Sequence, residues 1–395
     1  MDDQRYVVKR SLGQHLSFQN KPPLLPHLDI ELTERCNNAC IHCCINLPEN
    51  DAQAARREFT TDQWKDVLRQ AADLGALSIR FTGGEPLLRP DFAELYLFTR
   101  RLGIKVILFT NARLITPELV DLFSKVPPLK KIEVSVYGMH PGSYDAIACV
   151  PGAFTEFRRG LDLLLQRQIH FVVKSVLLPP NRVEIDEFEA WAATLPGQTM
   201  SPGYAVFLEL RKRRDLPAKN RLIESLRFTP EEGITLLSAR RETAYRSEMA
   251  RFCSRFIGHP GTQLFTCGAG EAGCVDPYGM YHMCLLLRHP DLAYDLRQGT
   301  LRQALTEFFP VHRELQAATP AYLERCARCF LKGLCDQCPA KSWSESGTLD
   351  TPVEYLCQVA HAQARYLGLL SEGERAWEIS DWQLRLESLK QKIEA

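Results

Sequence analysis

The sequence predicts an α/β protein: a partial (β/α)6, TIM-like barrel, then a small cysteine-rich region, then a C-terminal helix. Three observations carry this. From about residue 27 to 245, short runs of Val, Ile, Leu and Phe alternate with amphipathic helical patterns, as in a parallel sheet with helical crossovers. From about 250 to 360 that alternation fades, and cysteines and glycines punctuate short segments. Beyond 371, Trp382, Leu386, Leu389 and Ile393 recur at helical spacing. The boundaries so drawn are a segment 1–26, a barrel 27–245, a cysteine-rich domain 246–370 and a helix within 371–395.

His27–Leu32 alternates with period two and reads as the first strand. Thr60 or Thr61 then caps a helix carrying Trp64, Val67, Leu68, Ala71 and Leu74 on one face, ended by Gly75. Ser78–Phe81 is the second strand, with a helix from Asp91 to Leu102 stopped by Gly103. Val106–Phe109 is the third, followed by a helix opening at Thr116-Pro117. Ile132–Val136 is the fourth, with a helix through Phe157 to Leu165. Phe171–Val176 is the fifth, with a helix from Ile185 to Trp191. Ala205–Leu210 is expected as the sixth, before a helix opening at Thr229-Pro230. Six such units suit an open or partial barrel better than a closed eight-stranded one.

Composition excludes several classes. Lys+Arg 48 and Asp+Glu 48 cancel, so the basic excess of a nucleic-acid binder is missing. The run Arg211-Lys212-Arg213-Arg214 reads as a solvated loop face. No stretch approaches the ~18 apolar residues of a membrane span. Met1-Asp2-Asp3-Gln4-Arg5 opens without the apolar run of a secretory signal. The expectation is a cytoplasmic protein with no nucleic-acid or membrane partner and with reduced thiols. Its 14 cysteines in 395 residues are too sparse for a disulfide scaffold and are grouped as metal ligands are. The segment 250–360, poor in apolar runs, reads as held by metal rather than by a core.

Directly after the first strand stands Cys36-Asn37-Asn38-Ala39-Cys40-Ile41-His42-Cys43, a C-x3-C-x2-C loop. Three thiolates can hold three irons of a [4Fe–4S] cluster and leave the fourth open for chemistry. A zinc loop, or three thiols merely near one another, uses the same residues. The second strand ends in Phe81-Thr82-Gly83-Gly84-Glu85-Pro86-Leu87, where two glycines permit close backbone approach and a carboxylate can accept from an ammonium group.

The loop and the Gly83-Gly84-Glu85-Pro86 turn, on successive strands of a six-unit barrel, resemble the radical S-adenosylmethionine (SAM) superfamily. The resemblance implies that SAM chelates the open iron. Gly83, Gly84 and Glu85 would hold its amino group, the backbone around His42 would face adenine, and Ser135 and Lys174 would point at the ribose or carboxylate. Thr110-Asn111-Ala112 resembles the Thr-Asn-Gly turn common in this branch.

The later cysteines, Cys267-x6-Cys274-x9-Cys284 and Cys326-x2-Cys329-x5-Cys335-x2-Cys338-x18-Cys357, resemble the SPASM extension of radical SAM enzymes, with Gly279 four residues ahead of Cys284. The gap between Cys335 and Cys338 is one residue shorter than that family's. Two auxiliary [4Fe–4S] clusters follow, three in all. Sequence proximity groups Cys326, Cys329, Cys335 and Cys338, whereas the resemblance groups Cys267, Cys274, Cys284 and Cys338 against Cys326, Cys329, Cys335 and Cys357. Cys44, Cys149 and Cys253 are left unassigned.

Activity and partners are likewise implied by the resemblance. Ferredoxin or flavodoxin would reduce the first cluster, and SAM cleavage would give a 5′-deoxyadenosyl radical able to abstract hydrogen. The substrate would be a ribosomally made peptide or protein side chain, given an oxidative crosslink or related modification. Ser135-Val136-Tyr137-Gly138 and Pro151-Gly152-Ala153-Phe154 look like stretches of peptide-crosslinking members. With 26 residues ahead of the first strand, either a separate peptide-recognition protein or direct binding of the substrate by that segment is expected. The alternatives are oxidation of a small cofactor or tetrapyrrole, sulfatase-type maturation (disfavoured by Leu285 where an Asp is expected), and a non-catalytic cluster or zinc protein.

Overall fold

The computed structural model describes residues 24–239, 241–255, 261–335 and 338–394, so the expected N-terminal segment lies almost wholly outside the described residues. The chain divides into two compact units. The first runs to Ala205 and takes up Gly268–Leu285 and Pro290–Pro310; the second holds Val206–Cys267, Leu286–His289 and the chain from Val311 on. The expected boundaries at 245 and 370 therefore do not coincide with the division seen.

In the first unit six parallel strands lie side by side in chain order: β1 (His27–Thr33), β2 (Ser78–Gly83), β3 (Lys105–Thr110), β4 (Leu129–Val136), β5 (Phe171–Val176) and β6 (Gly203–Ala205). Between them run α1 (Thr61–Asp73), α2 (Phe92–Arg101), α3 (Pro117–Lys125), α4 (Pro141–Ala148), α5 (Ala153–Gln166) and α6 (Ile185–Ala192). This is the open (β/α)6 order that the sequence predicts.

Local chemistry sets the ends. The Thr60 hydroxyl accepts from the Gln63 N–H while Gln63 returns the bond to Thr60, a capping box that fixes the start of α1. Gly75 leaves that helix at φ +90°, and Gly103 leaves α2 at φ +79°. Along the strands Leu28, Ile30, Ile79, Phe81, Leu108 and Val134 are fully buried. Because side chains alternate, Asp29, Arg80, Phe109 and Glu133 face the opposite side of the sheet.

Two expectations about the sheet are corrected. Val206–Leu210 is not a strand; β6 is three residues long and ends at Ala205. Val206, Leu208 and Leu210 are buried while Phe207 and Glu209 are only partly so, which shows that the alternating pattern reported burial rather than strand pairing. The sheet also continues past β1 on its other edge. Cys274–Val275 (β7) joins β1 in parallel, then Met280–His282 (β8) and Ala293–Asp295 (β9) follow antiparallel. Residues placed in the cysteine-rich domain thus belong to the barrel's sheet.

The second unit carries α7 (Pro230–Ser238), α8 (Glu242–Arg255), α9 (Pro339–Ser346), α10 (Glu354–Tyr366) and α11 (Trp382–Glu394). It does not rest on metal alone. Ala250, Phe330, Leu331, Ala364, Leu386 and Leu389 share one buried apolar cluster. The Arg211–Arg214 run is only in part a solvated face, since Arg211 is 1% exposed and Lys212 6% while Arg214 is exposed. Arg211 forks onto Asp215 at 2.6 and 3.0 Å, and Arg214 donates to the Trp343 and Ser344 carbonyls at the end of α9. Among the described residues no helix is long and apolar enough to cross a membrane.

Leu331 tests the core of this unit. Leu331→Ala should cost about 2–5 kcal/mol, read by urea denaturation of the metal-free chain. An unchanged midpoint would return the unit to a metal-held reading.

Candidate active site

The cysteine loop starts where β1 stops. Arg35–Cys36 pairs with Leu47–Pro48 across the loop's base. Within it the Cys43 N–H donates to the Cys40 carbonyl at 3.1 Å, a turn that brings these two cysteines together. Two backbone bonds hold the loop from outside: the Ala39 and Ile41 N–H groups donate to the Ala148 and Ile147 carbonyls of α4, at 2.9 and 3.0 Å. Those carbonyls lie in the last turn of their helix, where such groups lack helical partners.

The turn after β2 is built against the same place. Gly84 N–H donates to the Thr33 carbonyl at 2.7 Å and Glu85 N–H to the Arg35 carbonyl at 2.9 Å. A Cβ at Gly83 would lie 2.1 Å from the Thr33 oxygen, and one at Gly84 2.2 Å from the Arg35 oxygen. Gly83 also sits at φ +126°. No side chain fits at either position.

Glu85 is fully buried. One oxygen accepts from Leu87 N–H (3.2 Å) and the Thr110 hydroxyl (2.9 Å), the other from Asn111 N–H (2.8 Å). The carboxylate expected to meet an ammonium group thus serves the turn after β3. Burial pushes its pKa up to about 7 despite those donors. Asn111 passes the link on, its amide donating to Asn37 Oδ1 at 2.8 Å and toward Cys36 Sγ at 3.8 Å. Arg113, held by Glu156 at 2.7 Å, donates to the Asn37 carbonyl and Asn38 Oδ1. Asn111 was read from the sequence only as part of a turn, and Arg113 was missed: a local motif does not announce a contact made 75 residues away.

Burial raises the Cys36 thiol well above its ordinary range, and the charges of Glu85, Cys40 and Cys43 add to this. Glu85, Cys40 and Cys43 are thus charge neighbours of Cys36. His42 places its ring 5.6 Å from Tyr137, and Tyr137 lies 5.4 Å from Tyr144. Ser135 and Lys174 are register partners across β4 and β5. Lys174 pairs with Glu133 at 2.7 Å and stands 3.5 Å from the Phe109 ring centroid, on the sheet face that Arg80 and Asp29 share. Burial alone would raise Glu133, yet Lys174 and Lys131 hold it below the usual carboxylate range.

In the second unit Cys267, Cys326, Cys329, Cys335, Cys338 and Cys357 line one cavity of about 330 Å³. Burial pushes the Cys326 thiol up to about 12 with help from Cys357, and Cys329 up to about 12 with help from Cys357 and Cys326. Cys357 is thus an electrostatic neighbour of both. In the first unit Cys274 opens β7, fully buried, and Cys284 follows β8, partly buried. Of the unassigned thiols, Cys253 is packed in the apolar cluster with its pKa pushed up to about 12 by burial; Cys44 is partly buried and Cys149 exposed. Among the described residues no three His, Cys, Asp or Glu side chains gather around the position of a single metal ion. Cubane ligands bind separate irons and need not converge in that way.

Residues 30–192 match the radical SAM superfamily. The chain thus carries a radical SAM domain over these residues. It is 27% identical over 349 residues to the AdoMet-dependent heme synthase of Methanosarcina barkeri, covering 84% of this chain and 95% of that one. It is 29% identical over 208 residues to the PqqA peptide cyclase of Xanthomonas axonopodis pv. citri, 52% of this chain and 55% of that protein. The solved structure of anSMEcpe with bound AdoMet has the same fold, with a TM-score of 0.60 at 14% identity, over 93% of this chain and 97% of that one. As a radical SAM protein the chain is an enzyme that binds SAM.

The site fits that ligand set. It offers three thiols from one loop, a glycine turn with no room for side chains, and buried donors: the Asn37 and Asn38 amides and the Tyr144 hydroxyl each keep a polar atom without a hydrogen-bond partner. Soft thiolates suit iron–sulfur ligation.

The raised Glu85 pKa carries a sign. The folded chain binds this proton better than the unfolded one, so the stability it contributes is complete below about 4.5 and is lost as pH rises to about 7. Glu85→Gln should remove that slope in urea titrations of the metal-free protein and lower stability by about 1–3 kcal/mol, because one amide hydrogen would face the Leu87 N–H. A slope identical to wild type would place the titration elsewhere.

Proposed function

We propose that this enzyme cleaves SAM at a [4Fe–4S] cluster held by Cys36, Cys40 and Cys43, and oxidises the side chain of a ribosomally made peptide or protein. The observation that carries the first half is the seating of the C-x3-C-x2-C loop, by backbone bonds from α4 and side-chain bonds from Asn111, against the glycine turn. When bound, the cluster and SAM supply a 5′-deoxyadenosyl radical for abstraction from an unactivated C–H bond.

The chain's own residues position and shield. Gly83 and Gly84 present bare backbone to the SAM amino group, the backbone around His42 faces adenine, and Ser135 and Lys174 serve the ribose or carboxylate. Glu85 acts one step back, fixing the Thr110–Asn111 turn that steers the Cys36 side of the loop. Cys326, Cys329, Cys335 and Cys357 hold an auxiliary cluster, a reading supported by the electrostatic proximity of Cys357 to Cys326 and Cys329; Cys267 and Cys338 line the same cavity. Cys267, Cys274, Cys284 and Cys338 are assigned to a third cluster on the sequence pattern alone. Ferredoxin or flavodoxin supplies the electron, and a separate recognition protein delivers the peptide.

The peptide reading is supported by the likeness to a PqqA peptide cyclase and by the Ser135–Gly138 stretch. A second reading, oxidation of a tetrapyrrole, is favoured by the alignment with the heme synthase across 84% of this chain.

Anaerobic reconstitution with iron and sulfide separates these points. With dithionite and SAM the wild type should form 5′-deoxyadenosine, and the Cys36→Ala, Cys40→Ala, Cys43→Ala triple variant should form none. Cys326→Ala should keep some cleavage yet yield no product. Equal residual cleavage in both variants would overturn this division of labour. Mass spectrometry then decides the substrate: loss of two hydrogens from a short peptide encoded beside the gene supports the first reading, turnover of an iron tetrapyrrole the second.

A further inference from the structure

Cys357 differs from its neighbours in what surrounds its sulfur. It lies in the first turn of α10, and Arg325 Nη2 donates toward its Sγ at 3.5 Å. The guanidinium is not placed by chance. Both Glu354 oxygens hold it in a fork at 2.6 and 3.0 Å, from the residue that opens the same helix. Its far face rests over the Trp377 ring, 4.8 Å from the centroid. A planar, permanently charged donor fixed on two sides keeps one direction toward sulfur.

A second group points the same way. His361 Nε2 accepts from the Ala376 N–H at 3.1 Å, so the ring proton sits on Nδ1. That Nδ1 donates to the Cys357 carbonyl at 2.8 Å and lies 3.7 Å from its sulfur. Arg325 and His361 both line the cavity that the cysteines share.

We propose that Arg325 is a potential-setting residue: its hydrogen bond to Cys357 raises the reduction potential of the auxiliary cluster held by Cys326, Cys329, Cys335 and Cys357. The inference rests on the cluster assignment made above. Reduction adds negative charge to the cluster and its sulfurs, and a cationic N–H donor stabilises that form more than the oxidised one. Glu354 cancels part of the charge, but it is mostly exposed and its main effect is to aim the fork.

The test is potentiometric titration of the reconstituted full chain, followed by electron paramagnetic resonance, in the background lacking Cys36, Cys40 and Cys43. Iron and sulfide are counted first: replacing Cys326, Cys329 and Cys357 together by Ala should lose about four irons per chain relative to this background. Arg325→Gln should keep the iron and move one midpoint to lower potential. Arg325→Lys, which retains charge without the fork, should move it less, and Glu354→Gln should broaden the signal with a smaller shift. An unmoved midpoint with full iron content overturns the role of Arg325 and leaves the cluster assignment standing. No iron lost when Cys326, Cys329 and Cys357 are all replaced by Ala overturns both. If Arg325→Gln fails to load iron, Arg325→Lys decides by the same midpoint.

Discussion

The close approach of the backbone at Thr33 and Arg35 to Gly83 and Gly84 is the constraint on which the site depends. Two N–H···O bonds at 2.7 and 2.9 Å join the end of β1 to the end of β2, and the space between them leaves no room for a Cβ. Once that contact is made, Glu85 can only point at the next strand end. There it meets the Thr110 hydroxyl and the Asn111 N–H, and Asn111 in turn reaches Asn37 and Cys36. Three consecutive strand ends are thus tied to one cysteine loop by buried hydrogen bonds, each costly to leave unmade.

Much of this was legible in the sequence because it is local. The capping boxes at Thr60 and Thr229, the helix stops at Gly75 and Gly103, and the spacing of Cys36, Cys40 and Cys43 are set by residues within a few positions of one another. Contacts formed across the fold were not legible. The bonds from Ala39 and Ile41 to α4 span more than a hundred residues, and nothing in Ala148 or Ile147 marks them, since only their backbone is used. Glu85 shows a subtler gap: its position was readable, but its partners Leu87, Thr110 and Asn111 were not.

The misread segments share a cause. Period-two apolarity at Val206–Leu210 signals one buried side, which a loop packed on a core can have without a ladder. Arg211 is buried with Asp215 accepting from it, and the exposed Arg214 is held by the carbonyls of Trp343 and Ser344, about 130 residues on. The stretch 250–360 lacks long apolar runs, yet Phe330, Leu331 and Leu334 pack beneath helices that come mostly from elsewhere in the chain. Scattered apolar residues build a core as well as contiguous ones do; only their contacts reveal it.

The same burial governs the thiols. Cys36, Cys326, Cys329 and Cys357 are all pushed toward the protonated form, chiefly by desolvation. A thiolate in such a place is costly unless a cation compensates it. Iron bound there would supply that compensation, its loading would displace protons, and affinity for metal would rise with pH at each such cysteine. Arg325 donates directly to the Cys357 sulfur and holds Cys357 back from the full effect of its burial. The same bond that supports this thiol without metal would act on it once metal is bound.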